Sequence, residues 1–252
     1  MEKVWKIFGL LGIGLVVLMV SHSVLATSLT IDEIVYQPTS GLDPTKLSGT
    51  ADATYSSGVL TIALRNTSAN LGAIDNMASA LLAGIGFNLP SGMSITGGST
   101  AITAGSSLVN APGSYDLQAE WGWGLDGSPF QAGHYVIGSI GFNVSTLQSA
   151  ITHDFIGTAK PPANVAGPEW GLLSQNQSPF SGGLTAIEDA IVITLNLSGS
   201  YGGDLIGFIN DNDVAIVFGS PTAAVPEPAT MLLLGSGLIG LAGFARREFF
   251  KK

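Results

Sequence analysis

The sequence has 252 residues, no cysteine and a formal net charge of −9. Between residues 27 and 228, three basic residues face sixteen acidic ones, a formal charge of −13. This balance argues against nucleic-acid binding, which needs basic patches. The lack of cysteine excludes thiol catalysis, disulfides and cysteine-ligated zinc. Gly, Ser, Thr, Ala and Asn are abundant, which favours strands joined by turns over long surface helices.

The N-terminus has the features of an export signal. Lys3 and Lys6 precede an apolar run over residues 7–20, and the small residue Ala26 follows shortly after. This order predicts a signal peptide over residues 1–26, removed after Ala26. An uncleaved signal anchor is the alternative. Either way, the segment that follows is exported.

Short alternating segments separated by turn residues fill the middle of the chain. They predict strands over residues 29–36, 54–55, 59–66, 85–89, 115–123, 134–144, 190–197 and 214–218, and a short helix over residues 76–83. Residues 54–66 are typical of a hairpin with its turn at residues 56–58. We therefore predict an all-β exported domain over residues 27–219, an antiparallel β-sandwich with a jelly-roll-like path as a variant.

Three tryptophans lie close to acidic residues in the sequence. Trp121, Trp123 and Trp170 would suit a carbohydrate-stacking platform, and packing in the core is the alternative. A carboxylate pair such as Glu120 and Glu169 is what a glycosidase requires, with Asp126, Glu188 and Asp189 as further carboxylates. No pattern places two of them across one cleft. An exported hydrolase is therefore a weaker hypothesis than a structural surface protein or a binding module.

Histidine chemistry is poorly supported. There is no G-x-S-x-G motif, and His134 and His153 have no metal-ligand partner two or four residues away. We expect surface or hydrogen-bonded histidines, no catalytic residue and no enzymatic activity.

An acidic and amide-rich segment precedes the last predicted strand. Asp204, Asp211 and Asp213, with Asn210 and Asn212, offer oxygen ligands of the kind that calcium accepts. The spacing does not fit an EF-hand loop. A turn built from Asn and Asp residues explains the segment without metal, so calcium stays an alternative to the expectation of no cofactor.

The last part of the chain combines a rigid polar motif, an apolar run and a basic end. Pro226, Glu227 and Pro228 close a linker over residues 220–228, and the uncharged residues 229–245 follow. As a helix these would span roughly 26 Å, the short end of what crosses a bilayer. The prolines place the helix start after Pro228. The four basic residues within 246–252 mark the cytoplasmic side.

This arrangement resembles the PEP-CTERM sorting signal of exosortase substrates. Pro226, Glu227, Pro228, Arg246 and Arg247 stand where that signature has its own residues. The resemblance implies a Gram-negative bacterium that produces exopolysaccharide. It also implies a transient stay in the inner membrane and cleavage by an exosortase at the Pro-Glu-Pro motif. An anchor that stays attached is the alternative for the tail.

With the signal peptidase acting at the other end, the product would reach the cell surface or extracellular matrix. Its role there would be structural or adhesive, in a biofilm or in contact with exopolysaccharide. A carbohydrate- or calcium-binding module is the alternative for the exported domain.

Overall fold

The computed structural model describes residues 25–36, 43–69, 78–125, 133–139, 151–156, 170–175 and 185–219. The predicted signal peptide up to residue 24, the linker, the predicted membrane helix and the basic tail lie outside these ranges. Within them, no helix combines the length and the apolar character needed to cross a membrane.

The described residues form mainly β-strands. The strands are β1 (Thr27–Ser28), β2 (Glu33–Tyr36), β3 (Gly49–Ser56), β4 (Val59–Asn66), β5 (Leu82–Phe87), β6 (Ser94–Ile102), β7 (Leu108–Val109), β8 (Trp121–Leu125), β9 (Tyr135–Ser139), β10 (His153–Asp154), β11 (Leu172–Leu173), β12 (Ala186–Glu188), β13 (Ala190–Ser198) and β14 (Ala215–Phe218). The helices are α1 (Leu117–Glu120) and α2 (Leu205–Asn210), with 3₁₀ turns at Pro44–Lys46 and Ala78–Ala80. The prediction of an all-β fold is confirmed.

The strands form two sheets. The five-stranded sheet has the order β1-β3-β4-β13-β6, and every pair in it is antiparallel. The nine-stranded sheet runs β10-β8-β9-β5-β11-β12-β7, with β14 paired to β5 and to β2. Two of its pairs, β14–β2 and β11–β12, are parallel. The expectation of purely antiparallel pairing was therefore wrong for the nine-stranded sheet.

Both sheets contribute side chains to one hydrophobic core. Leu60, Ile62 and Leu64 of β4 belong to the same buried cluster as Ile85 of β5 and Ile216 of β14. A Cβ atom added to Gly49 of the five-stranded sheet would lie 2.9 Å from the Cδ1 atom of Ile216. The two sheets therefore approach each other closely at this glycine.

The predicted hairpin is confirmed and is longer than expected. Strands β3 and β4 pair over their full lengths, from Gly49 opposite Asn66 to Ser56 opposite Val59. Ser57 and Gly58 connect them with φ angles of 52° and 81°. Positive φ at both central residues is the geometry of a type I′ turn, whose twist matches that of antiparallel strands.

The first predicted strand, residues 29–36, was wrong as a single element. Only β2 lies within this range; residues 29–32 connect it to β1, which precedes the range and belongs to the other sheet. Between them, the Thr30 N–H donates to Asn210 Oδ1 at 2.9 Å, and the Asp32 carboxylate accepts from the Val214 N–H at 2.9 Å. At both places a side-chain oxygen accepts from a backbone N–H, where a continuous strand would use a backbone carbonyl. The chain therefore leaves one sheet and enters the other here.

Two further element predictions were wrong in type. Residues 78–80 form a 3₁₀ turn that leads into β5, whereas residues 76 and 77 of the predicted helix lie outside the described ranges. In the predicted strand over residues 115–123, the Asp116 side chain accepts from the Gln118 N–H at 3.0 Å and caps α1. This N-cap starts a helical turn, and strand geometry begins only at Trp121.

One residue turns the chain from one sheet into the other. Only Asp189 separates β12 of the nine-stranded sheet from β13 of the five-stranded sheet, and its φ angle is 79°. Its carboxylate lies 2.6 Å from the Arg65 guanidinium, and its N–H donates to the Leu173 carbonyl at 2.7 Å. The Asn66 N–H donates to the Asp189 carbonyl at 3.1 Å. Contacts to both sheets thus fix this corner.

Beside this corner, buried polar side chains join the two sheets. Asn66 is 1% exposed, and its Nδ2 donates to the carbonyls of Leu172 at 2.7 Å and Ala80 at 3.2 Å. Its Oδ1 accepts from the Ser68 N–H at 3.0 Å, and the Ser174 hydroxyl donates to the Ser68 carbonyl at 2.8 Å. We call Asn66, Ser68 and Ser174 the polar seam. It links the end of β4 to the β11 region across the core.

We expect Asn66→Ala to lower the free energy of unfolding by about 2–4 kcal/mol, because the change removes three hydrogen bonds of a buried side chain. Asn196→Ala, at an exposed position of β13, should change it by less than about 0.5 kcal/mol. Urea unfolding of both variants measures the difference. Equal effects would show that the polar seam does not hold the fold together.

A side chain covers the outer edge of β6 at Thr100. The Gln118 Oε1 accepts from the Thr100 N–H at 2.8 Å, and the Gln118 Nε2 donates to the Thr100 carbonyl at 2.5 Å. The Thr100 hydroxyl also contacts the Leu117 carbonyl at 3.4 Å. One side-chain amide therefore takes both backbone groups that another strand would use at this residue. An open edge of this length would invite pairing with a second chain.

Removing this amide should favour self-association. We expect Gln118→Ala to show a rise in average mass with concentration in sedimentation experiments, because the Thr100 N–H and carbonyl become free to pair with another chain. Ser99→Ala, an exposed change on the same strand, should stay at the mass of the unmodified protein. A Gln118→Ala protein that keeps that mass over the same concentrations would contradict the protective role.

Candidate functional site

The structure places Trp121 and Trp170 in the core. Trp121 has no exposed surface, and its Nε1 donates to the Trp170 carbonyl at 3.1 Å. Trp170 is 4% exposed and adopts a φ angle of 63°. Its ring packs against the ring of the half-exposed Tyr115, with the two centroids 5.3 Å apart. Protein atoms occupy the faces of both indoles, so these two tryptophans match the core-packing alternative.

Trp123 is the member of the three with partly exposed surface. Its ring stacks on His153 at a centroid distance of 4.5 Å and an interplanar angle of 11°. Pairing of β8 with β10 sets this contact, since it brings His153 opposite Trp123. The His153 Nδ1 lies 2.8 Å from the Thr152 hydroxyl. The Trp123–His153 stack is therefore the remaining aromatic candidate for a sugar contact.

The three tryptophans should differ in their contribution to stability. We expect Trp121→Ala to cost about 3–5 kcal/mol, because it opens a cavity in the shared core and removes the bond to Trp170. Trp123→Ala should cost clearly less, since part of its ring is already in contact with solvent. Denaturant unfolding of both variants tests the ranking, and an equal loss would place Trp123 in the core as well.

Several of the described carboxylates and histidines make bonds within the fold. Glu188 accepts from the Ser107 hydroxyl at 2.5 Å, while the neighbouring Asp189 binds Arg65. His134 is 2% exposed, and its Nε2 lies 3.0 Å from the Asp213 carbonyl. Glu120 ends α1, and Asp126 and Glu169 lie outside the described ranges.

An exposed carboxylate caps the turn before β3. The Thr45 hydroxyl and N–H donate to Asp43 and lower the pKa of its carboxyl group. Because the carboxylate form is favoured, this cap persists at mildly acidic pH.

The three candidate calcium ligands have separate roles around α2. The Asp204 carboxylate accepts from the Ile206 N–H at 3.1 Å and caps the helix start, whereas Asp211 ends the helix. Asp213 has a φ angle of 53° and offers its carbonyl to His134. Residue 210 is thus the last residue of a helix that the sequence patterns did not predict. Over the described residues, no group of three His, Cys, Asp or Glu side chains is arranged to hold a metal ion.

Asp204 should therefore matter as a helix cap. We expect Asp204→Ala to lower the free energy of unfolding by about 1 kcal/mol, and Asp204→Ser to keep most of it, because serine also caps helices. Thermal unfolding with and without calcium tests both variants. A calcium-dependent rise in Tm that is present in the unmodified protein and lost in Asp204→Ser would instead support a metal site.

The sorting residues predicted from the sequence lie beyond the last described residue, Gly219. A protein-family model described as the PEP-CTERM protein-sorting motif matches residues 224–247. The matched segment contains all five residues on which the resemblance rests, Pro226 to Pro228 with Arg246 and Arg247. No curated protein and no solved structure matches the chain. The chain thus carries a PEP-CTERM motif, whereas the signal peptide stays a prediction.

Proposed function

Because the chain carries a PEP-CTERM motif, we propose that it is an exported surface protein that an exosortase cleaves at Pro226-Glu227-Pro228. The motif match over residues 224–247 is the observation that carries this proposal. In this scheme the exosortase is the enzyme and this chain is its substrate. Residues 229–245 hold the chain in the inner membrane until cleavage, and the basic residues 246–252 stay on the cytoplasmic side.

The start of the described fold supports the predicted signal-peptide boundary. Leu25 is 82% exposed, and β1 begins at Thr27, directly after the predicted cleavage site at Ala26. Thr27 lies opposite Ala53 at the edge of the five-stranded sheet. The first residue of the mature protein would therefore already belong to the fold, and the scissile bond would lie just outside it.

We propose that residues 27–219 act as a structural or adhesive domain of the envelope or extracellular matrix, with the two sheets packed as a β-sandwich and no catalytic role. The shared core, built without disulfides, supports this reading. The strongly acidic composition supports solubility outside the cell. A polysaccharide-binding role is the second candidate, and it rests on the partly exposed Trp123 beside His153.

Replacing Pro226, Glu227 and Pro228 together by alanine tests the sorting proposal. We expect the variant to accumulate in the inner-membrane fraction with its tail attached, because the exosortase no longer finds its motif. Pro221→Ala, in the same linker but outside the matched segment, should be processed like the unmodified protein. Normal release of the triple variant would contradict exosortase sorting through this motif.

A further inference from the structure

The chain leaves the folded domain at one defined end. Strand β14 is buried throughout and pairs with β5 and β2. After it, the Gly219 N–H donates to the Leu81 carbonyl at 2.8 Å. The polar seam lies at the same end, since Asn66 binds the Ala80 carbonyl. We call this end of the domain, with Gly219, Leu81 and the polar seam, the exit end.

The opposite end lies where β14 begins. The Val214 N–H binds the Asp32 carboxylate there, the Asp213 carbonyl contacts His134, and α2 lies beside them through the bond from Thr30 to Asn210. We call this the far end. Its carboxylates are Asp32, Glu33, Asp204, Asp211 and Asp213.

The two basic residues of the described ranges lie toward the exit end. The Lys46 carbonyl accepts from the Ala69 N–H at 3.0 Å, directly beside Ser68 of the polar seam, and Arg65 precedes Asn66. Acidic residues occur at this end too, among them Asp43 and Asp189. The far end, by contrast, has five carboxylates and, among the described residues, no Lys or Arg; its His134 is 2% exposed and contacts the Asp213 carbonyl. An anionic lipid surface would therefore repel the far end more strongly than the exit end.

From the exit point and the tether length we propose that the membrane-bound precursor holds its exit end against the lipid surface and its far end away from it. This rests on the proposed function, because it requires residues 229–245 in the membrane. Ten residues lead from Gly219 to Ala229, and a chain of that length spans at most about 35 Å when fully extended. A compact domain of roughly 190 residues is about 40 Å across. This connecting segment, residues 220–228, is the tether. If the far end faced the membrane, the tether would have to span the whole domain, and it is too short for that.

In this orientation the exit end faces the membrane and the far end faces away from it. An enzyme that cuts at residues 226–228 works in the narrow space between the exit end and the membrane. The far end, with α2 and its carboxylates, is the surface that the precursor presents to molecules outside the membrane.

Because the chain has no cysteine, single cysteine variants can report the orientation. Ala69→Cys labels an exposed position at the exit end. Gly202→Cys labels the far end next to α2, where an added Cβ meets no atom within 4 Å. The precursor, purified with its tail from cells lacking exosortase, is reconstituted into vesicles of phosphatidylethanolamine and phosphatidylglycerol. Energy transfer from each label to an acceptor dye on the lipid headgroups is then measured.

We expect clearly more efficient transfer from position 69 than from position 202. Inserting twenty Gly and Ser residues after Ser220 should remove most of this difference, because the longer tether lets the domain turn over. Equal transfer from both positions with the natural tether, or stronger transfer from position 202, would overturn the orientation.

Flotation of the vesicles separates this outcome from failure of the proposed function. Protein that does not float with the lipid shows that the tail does not anchor the chain, and so contradicts both proposals. Protein that floats but shows equal transfer contradicts the orientation alone.

Discussion

The fold depends on joining two sheets around one core without a disulfide. The hydrophobic side chains supply the driving force, but they do not by themselves fix how the sheets meet. That role falls to the polar seam and to the corner at Asp189, which lie side by side. Asn66 is central to both, because its side chain binds two carbonyls and its N–H binds the Asp189 carbonyl. Buried polar groups with all their partners in place specify a single arrangement, and a missing partner is costly.

The same end of the domain determines how the chain continues. Strand β14 is the last described element, and its pairing with β5 and β2 completes the middle of the nine-stranded sheet. The chain then passes directly from this buried strand to the linker and the sorting motif. Folding of the domain therefore needs the chain up to residue 218. Only a short segment separates this last strand from the proposed cleavage site at residues 226–228. The proposed cleavage at the motif would leave every described strand intact.

Sequence patterns predicted the elements whose signal is local. Strands β4 and β13 alternate strictly, with Leu60, Ile62, Ile191 and Ile193 facing the core, and the Ser57-Gly58 turn is a strong local signal. Errors arose where a side chain competes with backbone pairing. Asp116 starts α1 inside an alternating segment, and Asp204 starts α2 inside a segment predicted as loop and turn. Strand β6 was missed because its glycines and threonines give no hydrophobic alternation.

The candidate site residues also differ in how far the sequence could predict their roles. The sorting residues lie within one short segment of the sequence, residues 224–247, so the sequence alone identified them. Trp121 and Trp123 lie on the same strand, and their different roles depend on distant residues: the Trp170 carbonyl accepts from Trp121, whereas strand pairing brings His153 to Trp123. No local pattern contains that information.

The central claim is that this chain is processed at both ends, and the intact mass of the mature protein from its native cells tests it most directly. We expect a product that starts at Thr27 and ends between Pro226 and Pro228, and a heavier product with the tail in a strain lacking exosortase. A mass that retains residues 229–252 in both strains would contradict sorting and leave a membrane-anchored exported domain.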